Sequence, residues 1–306
     1  MLKTLIRPAM IFVPLALGML FPQANALNFL IRWLLMVMLF MVFLRLNVSE
    51  MKLRRSHGWL LLGNLLLGIG CYYLAGWLFK DKTLAQAAFF VAITPTATAA
   101  AVVMSFLKGN VGYVITSFVT TNVGIALVLP WLLGLVCGNP SWSFMLKVAE
   151  TLAVLLVLPL ALAMIVRKIH PEAQKWPQKL GTATFGLWSV CLFIIAASAA
   201  HFLKENPQLS RWVILETALI ALVICIVNFT LGYWLGEKSL RREASQSLGQ
   251  KNTTLTIYLA FAYAGPLAAM GVISYVLWHN SYNALQMFMI DRKARRLTSP
   301  DGCEQP

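Results

Sequence analysis

The residues best able to do chemistry lie in two short polar runs set inside apolar sequence. The first is Thr94-Pro95-Thr96-Ala97-Thr98-Ala99-Ala100-Ala101; the second is Ser245-Gln246-Ser247-Leu248-Gly249-Gln250-Lys251-Asn252-Thr253-Thr254. Hydroxyls, amides and one ammonium are ligand-holding groups, suited to an ion or a small polar molecule and poor at bond-making. A third group, Thr116, Ser117, Thr120, Thr121 and Asn122, adds more of the same, and Asn64 and Asn228 stand alone. Glu150 and Glu216 fall near span ends, at the water interface. His57, His170, His201 and His279 fall in different loops or helix ends, with no acidic pair or nucleophile motif joining them, so an enzyme is not expected. Cys71, Cys137, Cys191, Cys225 and Cys303 are scattered singly, without metal-binding or disulfide spacing. No cofactor is expected.

Each polar run has a bland reading and a sharper one. Pro95 removes a backbone donor inside an apolar run, so its helix must bend or break. A kinked helix with threonines bonded to their own carbonyls would satisfy this, and so would a discontinuous helix lining a site. The second run reads alone as a loop with a capped helix start. Yet the apolar stretch from Leu255 to Ala268 is too short to span a bilayer, which draws part of the polar run inside. The hydroxyls at 116–121 fit helix packing as well as ligand binding.

The elements that must hold these residues are membrane helices. Of 306 residues, 59% are hydrophobic and 12% charged, far from the balance of a soluble domain. Spans are predicted at 8–23, 28–46, 59–79, 84–107, 111–136, 144–166, 181–202, 212–235, 246–268 and 270–290, about ten in all, as one transmembrane domain over 1–290. A cytoplasmic polar tail is expected over 291–306. Lys3, Arg7 and Ala24-Asn25-Ala26 imitate a secretory signal and its cleavage site, but Pro8 and Pro14 favour a retained first helix.

A net charge of +14 raises the question of nucleic acid, but the basic residues cluster between apolar runs, as topology determinants do. Of the 25 lysines and arginines, Arg32, Lys80, Lys82, Lys147, Lys204 and Arg211 fall on one side, Lys251 falls within a span, and all the rest share the side of the first residue. That asymmetry predicts both termini in the cytoplasm and a membrane such as the bacterial inner membrane. An odd number of spans per half would invert the second half (144–290) relative to the first (1–136), a common transporter plan. In that plan the two polar-centred spans, the fourth and the ninth, correspond.

With these segments in view, the chain resembles the bile acid/sodium symporter family over nearly its whole length. The resemblance rests on Thr94-Pro95 through Val102, on Lys108-Gly109-Asn110-Val111, and on Gly249 through Thr254. It implies an all-α membrane fold of ten helices in panel and core domains, with discontinuous helices four and nine crossing. It also implies alternating access for a small organic anion, with the bilayer as the other partner. The family's first sodium site would fall on Ala100, Ala101, Val114 and Phe118, none of which ligates a cation. The acid shared by both sodium sites would be Ser247, and the glutamine of the second would be Lys251; Asn64 would match a third-helix ligand. Sodium needs oxygen donors, and an ammonium repels it.

The expectation is therefore a sodium-independent transporter in which Lys251 replaces the bound cation. Thr94, Pro95, Thr98, Thr121, Asn122, Ser247, Gln250, Asn252, Thr253 and Asn64 would surround it. An intramembrane lysine also exchanges protons in principle, so proton coupling is a further expectation. Sodium-coupled symport through backbone carbonyls and Asn64, and a sensor that binds without transporting, are the alternatives.

Overall fold

In the computed structural model, residues 13–44, 51–205, 207 and 212–298 are described. Among them there is no strand. The helices are α1 (13–20), α2 (Phe29–Leu44), α3 (Arg55–Phe79), α4 (Lys82–Ile93), α5 (Ala99–Phe106), α6 (Val111–Val136) and α7 (Trp142–Ile169). There follow α8 (Trp176–Lys179), α9 (Gly181–Glu205), α10 (Val213–Leu235), α11 (Arg241–Gly249), α12 (Thr253–Ala264) and α13 (Pro266–Thr298).

Among the described residues, five stretches are long and apolar enough to cross a membrane: α3, α6, α7, the Gly186–Glu205 part of α9, and α10. Three shorter helices, α2, α4 and α12, are apolar as well. Large apolar side chains cover the outside, among them Leu66, Leu74, Trp77, Leu127, Val157, Met164, Val223 and Ile226. Such a surface is stable against hydrocarbon and costly against water. The chain is an all-helical membrane protein.

Local chemistry sets the helix starts. The Asp81 carboxylate accepts from the N–H groups of Thr83 (2.7 Å) and Leu84 (2.9 Å) and so caps α4. The Asn110 side chain caps α6 at Tyr113 (3.0 Å), and Ser141 caps α7 at Phe144 (3.3 Å). At the far end of α12, Gly265 takes φ +96°, a left-handed backbone open to glycine, and Pro266 begins α13 in a new direction.

The buried centre is α4, in which every residue from Leu84 to Ile93 is enclosed. It lies against α3, α10, α12 and α13. Small side chains allow this depth of packing: Gly271 of α13 sits where an added Cβ would stand 3.0 Å from that of Ala87. A helix surrounded by other helices has no polar face, which is why α4 reads as uniformly apolar from Ala87 to Ile93, and why the buried Gln86 before it donates to Val136 O (3.2 Å).

Several boundaries differ from those predicted. The spans at 84–107 and 246–268 are each two helices, and the second begins earlier, at Arg241. The last helix runs through residue 290 to Thr298, so the first part of the expected tail is helix, and 299–306 lie outside the described residues. Also outside lie residues 8–12 of the first span, with Lys3, Arg7, Arg45 and Arg211. Ala24-Asn25-Ala26 falls in a 3-10 turn, Pro22–Leu27.

Candidate functional site: two interrupted helices

Helix α4 stops at Ile93 and α5 begins at Ala99; α11 stops at Gly249 and α12 begins at Thr253. The two non-helical stretches lie against each other as a scrap of antiparallel ladder. Ala97 N–H donates to Gln250 O (2.8 Å), Asn252 N–H donates to Pro95 O (2.7 Å), and Thr96 bridges Lys251. Backbone freed from helix must find partners inside a membrane protein, and here each break supplies the other's. Proline fits this pairing because Pro95 contributes only its carbonyl.

Side chains from α6 complete the junction. Thr121 Oγ1 accepts from Thr96 N–H (3.1 Å), and Asn122 Nδ2 donates to Thr96 O (2.9 Å). Asn252 Nδ2 donates to Asn122 Oδ1 (3.2 Å), so one amide spans both breaks. Thr96 Oγ1 donates to Ser247 O (2.6 Å), and Thr94 Oγ1 returns to Phe90 O (2.5 Å). Thr98 stands at the start of α5 without a side-chain cap bond, and the buried Thr253 donates its N–H to Lys251 O (2.9 Å).

Lys251 is 2% exposed. Its Nζ donates to Asn64 Oδ1 on α3 and to Ala92 O (3.1 Å). Asn64 Nδ2 in turn donates to Thr94 O (3.1 Å) and Ile93 O (3.4 Å). Lysine and asparagine together therefore cover the carbonyls that end α4. A helix C-terminus carries partial negative charge, and an ammonium placed there is favoured without any acid. No acidic side chain pairs with Lys251 among the described residues; Glu243, on the same segment, accepts instead from Asn110 N–H (2.9 Å).

Behind the second break, Tyr275 OH donates to Gly249 O (2.7 Å) and accepts from Asn228 Nδ2 (3.2 Å). Gly249 has no room for a side chain, since a Cβ there would meet the Phe229 ring at 2.3 Å. Gln250 points toward α13, where its Oε1 accepts from Asn283 Nδ2. The Ser247 and Ser117 hydroxyls are fully buried and have no partner among the described residues.

In front of the junction lies a cavity of about 10 Å³, room for about one water. Pro95, Asn122 and Thr256 give it a polar edge, and Phe90, Ile93, Ile125, Leu129, Leu255 and Leu259 form most of its walls, with Leu152 arriving from α7. Above it, Tyr263 OH donates to Thr151 Oγ1 (2.8 Å) and the Tyr263 ring meets Phe144 at 5.6 Å, tying α12 to α7.

The structure thus sorts the expected residues into groups. Pro95 and Asn122 line the cavity; Asn252 reaches it through Asn122. Lys251, Asn64 and Thr94 form a separate cluster on the α3 side, while Gln250 belongs to the α13 side. Ser247, Thr98, Thr121 and Thr253 are part of the junction itself. Ala100 and Val114 pack with Leu60 and Met104, and Phe118 joins the main core. Sequence reasoning missed Thr96, Ala92 O, Thr256 and Tyr275. Thr96 lay within the recognised run and Thr256 one turn beyond Asn252, whereas nothing local marks Ala92 or Tyr275.

No protein-family model matches the chain, and the curated proteins contain no match to it.

Proposed function

We propose that this protein is a secondary transporter of a small organic anion, a divergent relative of the bile acid/sodium symporters that works without sodium. The observation that carries the reading is Lys251 Nζ on Asn64 Oδ1 and Ala92 O, beside two paired helix breaks. A cation held at the end of one half-helix, by one of its carbonyls and the amide of a neighbouring helix, is what an ion-coupled carrier needs. Here the cation belongs to the chain. Residues at the corresponding sodium positions do not suit a metal ion: Ala100, Val114 and Phe118 are packed as hydrocarbon, Ser247 is neutral, and Lys251 brings its own charge.

In this reading ten spans form two inverted halves, both termini face the cytoplasm of a bacterial inner membrane, and the halves α4–α5 and α11–α12 are the discontinuous fourth and ninth helices. The cargo occupies an enlarged form of the cavity between the junction and α7. With Lys251 neutralising the end of α4, the starts of α5 and α12 remain as the uncompensated positive poles, which favours an anionic head. Access alternates as the contact between α7 and α12 opens and closes.

The test is a thermal-shift screen of organic anions on purified protein, with and without sodium and across pH, repeated on Lys251→Gln. Hits for the native protein should be indifferent to sodium and weakened in the variant. Sodium-dependent hits would favour symport, and equal binding by the variant at every pH would remove Lys251 from the mechanism. Flux of a bound hit into proteoliposomes separates a carrier from a sensor. A sharper form uses Ser247→Glu with Lys251→Gln, which restores an acid and a neutral oxygen ligand. That double variant should gain a stabilising response to sodium that potassium does not reproduce.

A further inference from the structure

We infer that the end of α10, the start of α11 and the start of α3 form a binding site for the headgroup of an anionic phospholipid, centred on Arg241. The inference does not depend on the transport reading. Helix α10 is long and apolar enough to cross the membrane and ends at Leu235, which puts Tyr233 and Trp234 in its last turn, at the interface of such a span. Both aromatic rings are exposed, Trp234 to 68%. The Arg241 guanidinium carbon lies 5.2 Å from the Tyr233 ring centroid and 5.9 Å from that of Trp234. The chain reverses sharply to bring it there: at Gly236, a Cβ would stand 3.0 Å from Arg241 Cα.

Around this stack basic residues outnumber acidic ones. Arg55, Lys238 and Arg242 are exposed, and Arg54 stands beside them at the start of α3. The two nearby acids are engaged: Glu237 pairs with Arg54 at 2.9 Å, and Glu243 accepts from Asn110 N–H at 2.9 Å. Arg242 donates to Leu107 O (2.9 Å); the Arg241 Nε–H is buried, without an acceptor among the described residues, which leaves the two terminal nitrogens of the guanidinium as its outward donors.

A cytoplasmic face would by itself carry an excess of positive charge, and lysines anywhere along the loop would provide it. It does not require a guanidinium laid on two interfacial aromatics. Stacking orders the planar cation and leaves the donors at its edge for an oxyanion, which arginine binds in a fixed geometry that lysine lacks. Exposed Trp234 and Tyr233 would lie along the acyl and glycerol region while the phosphate meets Arg241 and Lys238. Juxtamembrane basic residues near anionic lipid each add attraction of this kind.

The experiment measures thermal unfolding of the delipidated full-length protein in detergent, with added phosphatidylglycerol, cardiolipin, phosphatidylethanolamine or inorganic phosphate. The anionic lipids should raise the midpoint by about 5 °C, phosphatidylethanolamine and inorganic phosphate by much less. Arg241→Gln and Trp234→Leu should each lose at least half of that rise. Lys147→Gln removes an exposed charge on a different helix and should keep all of it. Midpoints without lipid show whether each variant is folded. An equal response to phosphatidylethanolamine, a full response in Arg241→Gln, or an equal loss in Lys147→Gln would overturn the site. Full stabilisation by inorganic phosphate would assign it to a soluble anion instead of a lipid.

Discussion

The two sides of the helix junction are built on opposite plans. Toward α3, Lys251, Asn64 and the final carbonyls of α4 form a buried, mutually hydrogen-bonded polar cluster. Toward α7, the same backbone borders a small hollow with apolar walls and only a few polar atoms at its edge. Charge and vacancy are thus separated by the thickness of one chain crossing. The lysine, the most conspicuous residue of the sequence, therefore braces the frame, and the polar residues that border open space are quieter ones, Asn122 and Thr256.

The largest expected effect comes from breaking the closed side. Asn64→Leu strands a buried ammonium beside one carbonyl and should cost about 3 kcal/mol in detergent unfolding. Adding Lys251→Met to Asn64→Leu should recover most of the loss; a double variant as unstable as the single one would mean the pair is not the connection drawn here. Gly249→Ala drives a methyl into the Phe229 ring and should cost about 2 kcal/mol. If it is silent, the second break is looser than its hydrogen bonds suggest.

Smaller effects sharpen the open side. Tyr263→Phe loses one hydrogen bond to Thr151 and should cost about 1 kcal/mol. Its more telling readout is access: a cysteine at Ala126, on the cavity wall, in a background without native cysteines, should react faster with a membrane-impermeant maleimide when Tyr263 is phenylalanine. Unchanged labelling would show that the Tyr263–Thr151 contact does not close the cavity. Thr256→Val should hardly alter stability, because its hydroxyl reaches Asn252 O only at 3.5 Å. It should still change which anions stabilise the protein in the screen.

Much of this was legible in the residues, for reasons that differ by place. The helical membrane class follows from composition, and α6 begins and ends at the residues expected because Asn110 caps it and no charge interrupts it. Pro95 announced a break, yet whether the helix bends or separates depends on what meets the freed backbone. That partner, residues 250–252, lies more than 150 positions away. The second run looked like a loop because its polar atoms are numerous; burial becomes affordable only when α3, α6 and α13 supply the acceptors and donors. The direction in which Lys251 points was beyond the sequence, since three packed helices decide it. Tyr275 was invisible for a similar reason: beside Trp278 and Tyr282 on the same helix, a tyrosine that holds a carbonyl looks like any other.

Lys251 differs from an ion in one respect that bears on energetics. A bound ion has a dissociation step, and through that step a carrier draws work from the ion's gradient. An ammonium fixed by four methylenes to the backbone never leaves, so its occupancy does not vary with the salt on either side. A carrier built around it would run downhill with its cargo, or exchange one cargo for another, unless the lysine's own proton is the particle that travels.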